Sequence, residues 1–323
     1  MVADPKTLQE AVVFFADPDN CINYLAARRW KDGKAACPTC GSENVSYLGS
    51  RRVWQCKTRH PKAQFSIKVG TIFEDSAVPL DKWLLAMWMI ANCKNGVSSY
   101  EIHRSTGVSQ KTAWFMLQRI RLAMQDENTG GKIGGNGGGV EVDETLIGGK
   151  ARNMHKARRD RMMNGAKAGP VGKTIIQGML ERGGKVHFTV MGHRALGAEL
   201  AANVRQHVEP GTQVYTDESH AYQALGTDYA HEFVNHAEEY VRGNVHTNGL
   251  ESFWSMLKRG LNGTYISVEP FHLFRYVDEQ AFRFNHRKDM TDGDRFHALC
   301  SRIVGKRLTF AEVTGKVSPT PED

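Results

Sequence analysis

At 323 residues the chain has room for two or three domains, each able to bury a core of its own. Its 41% hydrophobic and 24% charged residues exclude wholesale disorder, and six cysteines in this length exclude a disulfide scaffold. Lys and Arg number 42 against 35 Asp and Glu, a net charge of +7 that points to a polyanionic partner only if it is concentrated somewhere.

The N-terminal stretch MVADPKTLQE has no basic segment leading into a long apolar run. That argues against a secretory signal and for a cytoplasmic protein. The longest apolar stretch, roughly Trp83 to Cys93, is about half of the ~20 residues a membrane span needs. Residues 4–30 carry helical periodicity through Leu8, Val12, Phe15, Ile22 and Leu25.

Residues 33–75 are turn-rich and strand-like. Within them Cys37-x-x-Cys40 and Cys56-x-x-x-His60 are separated by 15 residues (41–55). Zinc takes four soft or borderline ligands in a tetrahedron, and two ligands on each of two tight turns supply that set. Residues 45–48 and 53–55 are the expected ribbon strands. Four protein ligands leave no open position, so the site reads as structural, and in so small a module the metal supplies much of the folding energy. Cys21, Cys93 and Cys300 read as small core residues.

Pro79 opens an apolar helix that Asn95-Gly96 closes. In the stretch that follows, Ser98 or Ser99 caps a short helix and Gly107 breaks it. Ser109 then caps a longer helix carrying Ala113, Trp114, Leu117, Ile120 and Ala123. This is a helix-turn-helix pattern, which sets the start of its second helix in a major groove. Gln110, Lys111 and Thr112 stand there, with Arg119 and Arg121 further along. A helical hairpin that only packs is the plainer alternative.

Residues 130–139 (GGKIGGNGGG) hold seven glycines in ten and read as a linker. Beyond it, strands and helices alternate in the manner of a mixed α/β domain. Asp143 lies in VEVDETLIG and Asp217 ends QVYTD, both in apolar strand contexts where an acid needs a partner or a metal. Glu251 lies in the helical stretch HTNGLESFW, with Lys258 two turns on along the same face. Clustered hard oxygen ligands of this kind suit phosphodiester chemistry with two Mg²⁺ or Mn²⁺ ions. Glu141 shares the strand face of Asp143 and is a rival ligand. Asn248 shares the helix face of Glu251 and also remains open. Glu144 reads as solvated. Trp254 reads as core packing against the sheet, with stacking on a flipped base the sharper alternative. His246 is either a helix-start residue or a site contact. Arg275, Arg283 and Arg287 either contact DNA or pair with Asp278 and Glu279.

Between Lys150 and Lys173 eight basic residues face one acid, 8 − 1 = +7, which equals the excess of the whole chain. Lys156, Arg158, Arg159 and Arg161 are the candidate phosphate contacts in this segment, read as an arm that orders on DNA.

Taken together, the blocks CPTC with CKTRH, QFSIKVGTIFEDS, LDKWLLAMWM, KTAWFMLQRIRLAM, VEVDETLIGGK, VYTDESHAY, HTNGLESFWSMLKRGLNGTY and FRYVDEQAFRFNHRK resemble the zinc-ribbon insertion-sequence transposases of bacteria. The resemblance covers nearly the whole chain. It implies a DDE-type, RNase H-like mixed-sheet catalytic domain preceded by a zinc ribbon and a helix-turn-helix. Asp143, Asp217 and Glu251 match the catalytic acids and Lys258 the lysine that follows, with Asn248 as the alternative third residue. Cys56 with His60 departs from the commoner second CxxC. The implied organisation is an N-terminal helix and ribbon over 1–75, a helix-turn-helix over 76–127 and a linker over 128–139. The catalytic domain follows over 140–290 and a C-terminal segment over 291–323. The implied function is a DNA transposase acting on double-stranded terminal inverted repeats and target DNA, as a dimer or higher oligomer. The alternatives are a non-catalytic zinc-ribbon DNA-binding regulator, an inactive transposase, and a nuclease that cleaves without joining.

Overall fold

The computed structural model describes residues 4–126, 131–135, 137–149, 155–157, 160, 172–192, 197–217, 220–234 and 246–316. They fall into two compact units: residues up to Gln125 with those from His286 onward, and Asp126–Asn285.

The predicted N-terminal helical region is two helices, α1 (Leu8–Phe15) and α2 (Pro18–Arg29). The break falls where Asp17 caps the second helix and Pro18 takes its first turn, a position that needs no N–H donor. The strands β1 (Val45–Leu48), β2 (Val53–Cys56) and β3 (Gln64–Phe65) form a three-stranded antiparallel ribbon. Next comes α3 (Leu80–Asn92), then α4 (Ser99–Thr106) and α5 (Gln110–Met124). The capping signals act as read: Ser98 and Glu101 form a reciprocal capping box, Gly107 ends α4 at φ 71°, and the Ser109 side chain accepts from Thr112 N.

In the second unit β4 (Val140–Ile147), β5 (Thr174–Glu181) and β6 (Val186–Gly192) run antiparallel. Helix α6 (Gly197–His207) leads to β7 (Gln213–Asp217), and a 3₁₀ turn (His220–Thr227) to β8 (Ala230–Val234). Both late strands lie parallel to β4, giving the order β6-β5-β4-β7-β8. This mixed sheet is RNase H-like. Strand alternation sends Val140, Val142 and Val214 to the face covered by α6 and the 3₁₀ turn. The opposite face, with Ile176 and Leu180, packs against α7 (Asn248–Arg259) and α8 (Leu273–Asn285). The glycine-rich run contributes to this unit: Ile133 is buried, bridges Val208 and donates to His207 O.

After α8 the chain rejoins the first unit through α9 (Asp292–Cys300) and α10 (Phe310–Val313). Phe296 of α9 packs among Phe15, Tyr24 and Trp88, so the C-terminal segment completes the first unit's core. No described helix is long and apolar enough to cross a membrane.

Candidate active site and zinc centre

The ligand atoms of Cys37, Cys40, Cys56 and His60 all lie within 4.8 Å of one another. Cys40 Sγ stands 3.7 Å from Cys56 Sγ, and Cys37 Sγ 3.4 Å from His60 Nε2. Zinc–sulfur bonds of about 2.3 Å at tetrahedral angles put two sulfurs about 3.8 Å apart, so the quartet fits the ion. His60 Nδ1 lies 2.6 Å from Pro61 O, which turns Nε2 toward the thiols. Among the described residues no other group of three or more potential ligands gathers in this way.

At the start of α5, Lys111 is exposed, with Nζ 4.8 Å from the Phe310 ring centroid. Gln110 Nε2 donates to Ser99 Oγ, and Thr112 bonds the capping Ser109 hydroxyl, so both are held by the turn itself. Arg119 and Arg121 lie elsewhere than expected, both buried; the Arg119 guanidinium donates to Ile72 O, Glu74 O and Leu308 O. A helix packed this deeply turns its middle inward, and Arg119 joins surrounding loops rather than facing DNA. Lys156 is exposed, while Arg158, Arg159 and Arg161 lie outside the described residues.

The two aspartates come together through strand register. β4 and β7 pair Val140 with Val214 and Glu141 with Tyr215, an offset of 74. Carried two residues past the last recorded pair, the same offset aligns Asp143 with Asp217 on one face, and the charge of Asp217 acts on the Asp143 carboxyl. Burial pushes the Asp143 carboxyl up to about 7, the charges of Asp217 and then Glu144 add to this, and hydrogen bonds from Trp254 and Glu144 N oppose it. Asp143 Oδ2 accepts from Trp254 Nε1 at 2.9 Å, and Oδ1 from Glu144 N at 2.8 Å. Trp254 reaches it because residue 178 on β5 is glycine: a Cβ there would lie 2.6 Å from Trp254 Cζ2. Asn248, Glu251 and Lys258 are all exposed on α7.

Several neighbours differ from the sequence reading. Glu141 is not available as a ligand, because its carboxylate is taken by Arg182, His246 and Leu250 N. Glu144 is half-buried rather than solvated. Tyr222 donates to its Oε2 at 2.6 Å, and burial, with the charge of Asp217, raises its carboxyl against that bond. Arg283 pairs with Glu279, and Arg275 is buried against Phe274. Cys21 and Cys300 are core residues as read, whereas Cys93 is exposed.

Residues 136–285 match the ISXO2-like transposase domain, and residues 17–58 match the transposase zinc-ribbon domain. A Halobacterium salinarum protein, described as an uncharacterized protein in transposable element ISH50, is 30% identical over 258 residues, 77% of this chain and 84% of that one. The chain belongs to the ISXO2-like transposase family. An uncharacterized transposase-like protein of Haemophilus influenzae is 29% identical over 100 residues, 31% of this chain and 80% of that one. The ribbon match of the transposase stops at residue 58, short of His60, so spacing and geometry, not the family match, bring His60 into the quartet. Trp254 was read for packing or base stacking, and its hydrogen bond to Asp143 had no sequence signal. Arg182 and Tyr222 had none, because their roles arise from partners 41 and 78 residues away.

Proposed function

We propose that this transposase binds the terminal inverted repeats of its element, cleaves DNA there with divalent metal, and joins the freed end to target DNA. The observation that carries the reading is the alignment of Asp143 with Asp217 on neighbouring strands, on the face that α7 covers. Two half-buried carboxyls that repel one another suit a cation between them. Asp143, Asp217 and Glu251 would hold Mg²⁺ or Mn²⁺, with Asn248 the alternative to Glu251. Such ions, when bound, polarise the attacking oxygen and neutralise charge on the leaving oxygen.

Trp254 orients the Asp143 carboxyl by donating to one of its oxygens, and Glu144 N holds the other. Lys258, exposed at the far end of α7, would contact a phosphate near the cleaved end. The ribbon and the exposed start of α5 grip the repeat, and joining two element ends calls for at least two protomers. The test is incubation of end DNA, taken from the sequences flanking the gene, with Mg²⁺ or Mn²⁺. The expected product is a new 3′-OH at the repeat boundary, lost in Glu251→Gln and kept in Asn248→Ala. Binding without metal-dependent cleavage would favour a regulator or an inactive transposase, and cleavage without joining a nuclease.

A further inference from the structure

Beside the aspartate pair lies a second carboxylate that the proposed reaction does not use. Glu141 is 2% exposed and shares the β4 face of Asp143. Its Oε1 accepts from Arg182 Nε at 3.1 Å and lies 3.4 Å from His246 Nδ1. Its Oε2 accepts from Leu250 N at 3.1 Å. Leu250 is the third residue of α7, and the N-cap residue Thr247 makes no side-chain capping bond. The first N–H groups of a helix lack partners within it, and negative charge is favoured there. Here the cap comes from the neighbouring strand.

Two further features hold this arrangement. Arg182, which follows β5, also donates to His246 O at 2.8 Å and stacks 3.8 Å from the centre of the Tyr215 ring on β7. At Gly249 an added Cβ would meet Leu180 Cδ2 at 2.5 Å and Glu141 Oε2 at 2.7 Å, so a larger residue would push the helix start off the carboxylate. The cluster therefore links β4, β7 and α7, the three elements that carry Asp143, Asp217 and Glu251. Glu251 directly follows Leu250, held by Glu141, and precedes by three residues Trp254, held by Asp143. It stands between two tethers to one strand.

We propose that Glu141, braced by Arg182, is a positioning residue: it caps α7 from β4 and so sets where Glu251 stands relative to Asp143 and Asp217. The inference rests on the function proposed above for its catalytic meaning. Glu141 touches neither DNA nor the reacting atoms; it acts through the helix. Residues that orient metal ligands from behind typically change metal affinity or activity by about 10- to 100-fold when replaced.

The test compares the full chain with Glu141→Gln, which removes the charge, and Arg182→Lys, which keeps the charge but loses the planar fork and stacking. Three measurements are made: hydrogen exchange across residues 247–254, Mn²⁺ binding by calorimetry without DNA, and the Mn²⁺ dependence of joining a pre-cleaved labelled end. Expected are faster exchange in the first turn of α7 and weaker Mn²⁺ binding. The midpoint for joining should rise by about tenfold or more, with zinc content and end-DNA affinity unchanged. Wild-type exchange and a wild-type Mn²⁺ midpoint in a folded variant would overturn the proposal. So would joining that falls only with the folded fraction while the midpoint stays fixed, since that is stability alone. If Glu141→Gln does not fold, Arg182→Lys carries the same three measurements. Asp217→Ala runs beside them. If the wild type joins no DNA, the proposed function fails, while exchange and Mn²⁺ binding still decide the cap.

Discussion

Single side chains decide whether the aspartate pair is usable. Trp254 fills the core beneath α7 and also aims its indole N–H at Asp143. Trp254→Phe keeps most of the packing and removes that bond. A stability loss of about 1–2 kcal/mol is expected in urea unfolding, since one charge-assisted bond and some volume go. DNA joining should fall further than the folded fraction does, and equal falls in both would reduce Trp254 to packing. The aspartates were legible because an acid in an apolar strand is conspicuous. Glu144 was not, since its solvated reading turned on whether a partner lay opposite, and Tyr222 approaches from 78 residues away. Arg119 misled for the opposite reason: an arginine on an amphipathic helix looks exposed until three backbone carbonyls are found around it.

At the scale of elements, local signals carried most of the fold. Ser98, Gly107 and Ser109 marked both helices of the helix-turn-helix, because caps and left-handed turns are local chemistry. Cysteine spacing marked the ribbon before its strands were seen. The ribbon sheet is three short strands, of four, four and two residues, too little to stand without its metal. Chelation of zinc, or Cys56→Ser, should therefore abolish end-DNA binding and open the ribbon to protease cleavage across residues 37–60. Retained protection after verified zinc loss would show that packing alone holds the ribbon. The strand order β6-β5-β4-β7-β8 was not readable from periodicity, which gives faces but not neighbours; the resemblance implied a mixed sheet and no more.

For the whole molecule, charge and chain path matter. The excess of +7 equals that of the single segment 150–173, so the rest of the chain sums to zero. Neutralising Arg158, Arg159 and Arg161 should flatten the dependence of log affinity on log salt by about 2 to 3 if each meets a phosphate. An unchanged slope would remove this segment from the DNA contacts. The return of α9 and α10 to the first unit had no signal in the sequence, since an apolar helix does not say which core it enters. The central claim is that Asp143 and Asp217 together run metal-dependent strand transfer. Its most direct test is joining of labelled, pre-cleaved end DNA to a plasmid in Mg²⁺ or Mn²⁺ by wild type and by Asp217→Ala at matched DNA occupancy. We predict joined product from the wild type and a loss of at least about a thousandfold in the variant, about 4 kcal/mol of barrier. Undiminished joining by Asp217→Ala would contradict the account.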